Sequence, residues 1–177
     1  PSYRAIAVAA ALCMAGVSHA APSAIDAGQL GVVSLSHVEA KPVSFVLMCN
    51  AKAGTKIEFT DNGWLSAGGF RSGEGVVTWT ADRNIDAGEV ITFSELVNPR
   101  VVMPAGSGSA TSAARADSFN LASGGDSVIA FQGTSAEPKL IFGLNYVSDA
   151  TWNANAANTN TSALPTGLVN GKTAVAV

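Results

Sequence analysis

Charge is scarce in this chain. Of its 177 residues 13% are charged, and 10 Lys and Arg against 13 Asp and Glu leave a formal charge of −3. A mildly acidic surface with no basic cluster excludes electrostatic capture of nucleic acid or of an anionic membrane. Histidine is almost missing as well, with only His19 and His37, and cysteine is limited to Cys13 and Cys49. One histidine and one cysteine at unrelated positions of the main body make no zinc ligand set. No Gly-x-Ser-x-Gly elbow occurs, so a serine triad would have to be built on His37, beside a turn. The solvent-facing Lys and Glu that amphipathic helices need are also too few, whereas 18 glycines and abundant Ala, Ser, Thr and Asn suit short strands joined by turns.

What is present begins with an export signature. Arg4 precedes an apolar run from Ala5 to Val17, and Ser18-His19-Ala20 offers the small residues of a cleavage site. Residues 1–20 are expected to be a secretory signal peptide, since the run covers only part of the roughly 20 residues a membrane helix needs. Leu12 before Cys13 is too large for a lipoprotein site, so no lipid anchor and no membrane insertion after signal removal are expected. The mature chain then keeps a single thiol, Cys49, which closes the apolar run Val43–Met48 and reads as a buried small hydrophobe. An exported domain with one cysteine cannot form an internal disulfide, so packing alone must hold it.

Residues 21–177 read as a single domain. Leu30–His37 ends in strand-like alternation, and Val43–Cys49 reads as a central strand covered on both faces. In Lys56–Asp61, Ile57 and Phe59 point one way while Glu58 and Thr60 point the other. Val76–Ala81 alternates with Val77 and Trp79 turned inward, and Glu89–Leu96 returns as a further strand. Val101–Met103 offers a short piece, and 105–116, rich in Gly, Ser and Ala, reads as a flexible loop. Ser127–Gln132 and Leu140–Tyr146 form a hairpin across Gly133–Lys139. Trp152–Asn160 is asparagine-rich and is expected to lack regular structure. Asn160-Thr161-Ser162 is a glycosylation acceptor if the host is eukaryotic. Thr173–Val177 looks like a strand entered and not finished, and the first residue is Pro1, which together suggest a fragment of a longer chain. About eight short runs without a convincing helix predict an all-β sandwich or partly open barrel.

The motifs Phe59-Thr60-Asp61-Asn62-Gly63-Trp64, Gly73-Glu74-Gly75-Val76-Val77-Thr78-Trp79-Thr80, Gly125-Asp126-Ser127-Val128-Ile129-Ala130-Phe131-Gln132-Gly133 and Asn158–Leu168 resemble a β domain of secreted, mostly bacterial, multidomain proteins. It is similar to lamin-tail immunoglobulin-like sandwiches. The resemblance implies an extracellular accessory module with no catalytic residues to carry over.

Chemistry concentrates in Asp61–Gly75, where polar, aromatic and glycine signals coincide. Asp61, Asn62, Glu74 and Asp126, or Asp149, supply hard oxygen ligands suited to calcium if the loops converge, although Asp-Asn-Gly and Gly-Gly-Asp are also ordinary turn chemistry. Trp64, Phe70 and Arg71, with Glu74, form a candidate ligand surface for a glycan or a protein partner, although Arg71 pairing with Glu74 three residues away is the simpler role. A glycosidase would pair Glu58 with Glu74, or Glu74 with Asp61, beside Trp64 and Trp79, but alternation turns Trp79 inward. The expectation is therefore a secreted, non-enzymatic module for binding or adhesion at the cell surface. The alternative is part of an extracellular hydrolase of phosphatase, nuclease or glycosidase type.

Overall fold

In the computed structural model the described residues are 21–38, 41–93, 109–113 (backbone alone) and 119–177. They form strands β1 (Leu30–Leu35), β2 (Val43–Leu47), β3 (Lys56–Thr60), β4 (Val76–Thr80), β5 (Val90–Phe93), β6 (Ser109–Ala113), β7 (Asp126–Gly133), β8 (Pro138–Tyr146) and β9 (Ala174–Ala176), with no helix among the described residues. Three strands make one sheet in the order β1-β2-β5, and six make the other in the order β6-β4-β3-β7-β8-β9. All pairs are antiparallel except β8 with β9. The chain is a β-sandwich.

Period-2 alternation drives the two sheets together. Phe45 and Leu47 from β2, Ile91 and Phe93 from β5, and Ile57, Phe59, Val77, Trp79, Val128 and Ala130 from the larger sheet share one buried cluster. Phe45 sits at its centre, with ring centroids 4.8 Å from Phe59 and 5.5 Å from both Trp79 and Phe93. Trp79 faces inward as alternation predicts.

Three expectations change. The segment 105–116 is not loop throughout, because Ser109–Ala113 pairs with β4 over five positions; its remainder, like Val101–Met103 and the expected signal peptide at 1–20, lies outside the described residues. β2 is covered on its inner face alone, since Ser44 and Val46 are half-buried and Met48 is 61% exposed. Cys49 is half-buried at the edge of the core, where burial and then the charge of Asp26 push its thiol up.

The larger sheet has a second cover. Residues 147–170 cross the outer face of β7 and β8 without regular structure, and Trp152, Leu168 and Pro165 close onto Gly143. The Trp64 loop lies against this strap. Trp64 packs with Ile129 and Ala163, and Phe70 fills the angle between Trp64 and Phe131, with centroids 5.1 and 5.0 Å away.

Candidate functional site

β3 runs antiparallel to both β4 and β7, so the end of β3 meets the starts of the other two. Asp61 directly follows β3 with the inward parity of Ile57 and Phe59, Glu74 stands just before β4, and Asp126 opens β7. Their carboxylates converge at this end of the sandwich: one oxygen from each lies within 4.8 Å of the others, and all three residues are buried.

Backbone N–H groups hold the two aspartates. Gly75 N donates to Asp61 Oδ1 at 2.9 Å and Asn120 N to Asp61 Oδ2 at 2.5 Å. Ala122 N donates to Asp126 Oδ2 at 2.9 Å, and Ser127 N to Asp126 Oδ1 at 2.7 Å. Glu74 meets Arg71 Nη1 at 3.4 Å, the pairing expected from their spacing. Lys41, at a left-handed φ of 49°, sends its ammonium to Asn120 Oδ1 and to Leu121 O.

Burial dominates the electrostatics despite these donors. It raises the Asp61 carboxyl to about 6 and Asp126 to about 7, the charge of Asp61 adding to the effect on Asp126. The neighbouring Lys41 charge pulls both back down. Burial also raises the Tyr146 hydroxyl, which donates to Ala122 O at 2.8 Å. Three converging carboxylates repel unless a proton or a cation intervenes. A carboxylate oxygen that accepts one N–H bond keeps lone-pair capacity, so this donor set could hold a metal ion, with oxygen ligands of the kind hard divalent cations take.

The remaining candidates fall elsewhere. Asn62 is buried and already engaged: its Oδ1 accepts Glu74 N at 3.1 Å and its Nδ2 donates to Thr60 Oγ1 at 2.9 Å. It positions Glu74, and its Oδ1, accepting one N–H, keeps lone-pair capacity as the carboxylates do. Trp64 is 6% exposed, its N–H donates to Ser162 Oγ at 2.9 Å and its Nε1 to Thr166 Oγ1 at 3.2 Å. An open ring platform at Trp64 is therefore corrected: the strap covers it, and Phe70 is half-buried against it. Arg71 stays partly exposed. Asp149 is exposed and outside the carboxylate group, and so is Glu58, which lies on the outer face of β3 and accepts from Thr78. His37 is exposed and stacks on Tyr146 with centroids 6.3 Å apart. Asn160 is half-buried.

The chain matches no family model, no curated protein and no solved structure. Its function must be read from the site itself.

Proposed function

We propose that this chain is a secreted, non-enzymatic binding module of immunoglobulin-like, lamin-tail type, in which calcium fixes the loop that faces a glycan or protein partner. The observation that supports it is the convergence of Asp61, Glu74 and Asp126 within 4.8 Å. Asp61 and Glu74 bracket the Asp61–Gly75 loop and Asp126 opens β7, so a cation held between them would tie that loop to the start of β7. The arc from Ser66 to Gly68 and the half-buried Arg71 are then presented on a fixed base. Calcium is the fitting ion because carboxylates and carbonyls are its usual ligands.

Calcium-dependent melting tests this. A cation bound only by the folded state stabilises by about 2.7 kcal/mol at one hundred times its Kd. Millimolar calcium is expected to raise the midpoint of the full chain, and Asp61→Asn and Asp126→Asn to abolish the rise; an unchanged midpoint in the parent chain would remove calcium from the reading. The alternative, part of an extracellular hydrolase, uses the same carboxylates and predicts calcium-dependent turnover of a phosphate ester or glycoside that Glu74→Gln eliminates.

A further inference from the structure

The strap covers β7 and β8, but the outer face of β3 and β4 carries a separate, open depression of about 190 Å³. Glu58 stands in it, half-buried, opposite Thr78 across the β3–β4 ladder and opposite Phe131 across the β3–β7 ladder. Thr78 Oγ1 donates to Glu58 Oε2 at 2.5 Å. That bond anchors Oε2 and leaves Oε1 without a hydrogen-bond partner among the described residues. Thr134 and Ser135, after the left-handed Gly133, bring two more hydroxyls to the rim, while Val76 shows only an edge and Phe131 lies fully buried beneath the floor.

We propose that this depression binds one neutral sugar ring. An oriented carboxylate oxygen needs a donor, and hydroxyl groups on the rim need partners that both give and take hydrogen bonds. A hexose supplies both. A cationic ligand is disfavoured by Lys56, two positions away with the same parity on β3. The inference names a ligand class and a place for the binding module proposed above, yet it does not depend on the cation: Glu58 is not among the three converging carboxylates. Loss of calcium stabilisation would leave it standing, and absence of sugar binding would leave the cation site standing.

The experiment is titration of the uniformly 15N-labelled full chain with D-glucose, D-galactose, D-mannose and N-acetyl-D-glucosamine, with methylamine as the cationic control, each in the presence and absence of calcium. At least one sugar is expected to shift the amides of Glu58, Thr78, Thr134 and Ser135 with millimolar affinity while methylamine does not. Glu58→Gln keeps an acceptor for Thr78 but loses the charge-assisted bond, and should weaken that sugar roughly tenfold or more. Thr134→Ala, on an exposed rim, should weaken it by a smaller factor, with spectral change outside the depression confined to the turn at Glu137, whose N–H Thr134 Oγ1 accepts at 3.1 Å. The proposal is overturned if none of the four sugars moves these amides, if methylamine alone does, or if Glu58→Gln and Thr134→Ala both bind as the parent does.

Discussion

Over β7 and β8 the six-stranded sheet is covered on both faces, by different means. Its inner face meets the smaller sheet through contiguous aromatic and aliphatic side chains centred on Phe45, Phe59, Trp79 and Phe93. Its outer face meets the strap through a smaller cluster of Trp64, Ile129 and Ala163, with Phe70 and Leu140 alongside, and through Trp152, Pro165 and Leu168 over Gly143. There hydrogen bonds add to the fit: Asn145 Nδ2 of β8 donates to Thr151 O, the bonds from Ala163 N to Trp64 O and from Ser66 N to Asn155 Oδ1 tie the strap to the Trp64 loop, and Asn153 and Ser162 brace the strap internally. Apolar area fixes the first interface, so many side chains share its energy. Directional bonds and close backbone approach fix the second, so single atoms decide it.

The largest effect should come from the inner face. Phe45→Ala removes the ring that three other aromatics pack on and should cost about 3–5 kcal/mol, measured by denaturant unfolding. Next is Gly63→Ala on the outer face. A Cβ there would lie 2.2 Å from Thr161 O and 3.0 Å from Ala156 Cβ, so the strap must shift, at a cost of about 3 kcal/mol. The two variants should differ in kind: Phe45→Ala lowers the whole transition, whereas Gly63→Ala should first expose the strap to protease while the inner core persists. Equal protease sensitivity of strap and core in Gly63→Ala would show that the two interfaces unfold as one.

This difference also governs what could be read beforehand. The inner face was legible because alternation is local: Ile57, Phe59, Val77 and Trp79 declare their side within five residues. The β7–β8 hairpin and the Arg71–Glu74 pair were legible for the same reason. Trp64 was misread as an open platform because its cover arrives about a hundred positions later, through Ser162 and Thr166, and no periodicity announces a strap made of Asn, Ala and Thr. β6 was missed because Ser109–Ala113 is small and polar, and its place comes from pairing with β4. Asp61, Glu74 and Asp126 could be nominated from turn chemistry, but their convergence required knowing that β3 lies between β4 and β7. The Glu58 depression gave no signal of its own, because its hydroxyls come from separate strands and a turn.

The rim where the two faces end should respond to pH. Asp61, at about 6, and Asp126, at about 7, bind protons more tightly in the folded chain than an unfolded aspartate, at about 3.9. The folded state therefore takes up protons first as pH falls. Stability without calcium should rise from about pH 8 toward pH 5 and level off near pH 4, by at most about 1.4 kcal/mol per pH unit for each proton taken up. Calcium should flatten the profile by favouring the ionised forms. The exposed Arg83–Glu89 pair has the opposite sign and a lower window, since its hydrogen bonds hold the Glu89 carboxyl down at about 2. A calcium-free melting point that falls between pH 8 and pH 5 would contradict the buried assignment of the two aspartates.

The smallest effect makes the sharpest test of how the outer face is held. Ser127 and Asn145 lie opposite each other on β7 and β8, both buried, yet Ser127 Oγ and Asn145 Oδ1 have no hydrogen-bond partner among the described residues. Ser162, in the strap, is fully used: its Oγ accepts from Trp64 N and donates to Ala163 O at 2.9 Å. A buried polar atom left unpaired costs stability, whereas a paired one contributes about 1 kcal/mol. Ser127→Ala should thus leave the melting point unchanged or raise stability by up to about 1 kcal/mol, while Ser162→Ala should lower it by about 1–2 kcal/mol through the orphaned Trp64 N–H. If bonds rather than area hold the strap, the two serine deletions must differ in sign or nearly so; equal losses would mean that Ser127 is partnered in solution and that the two faces are less unlike than their contacts indicate.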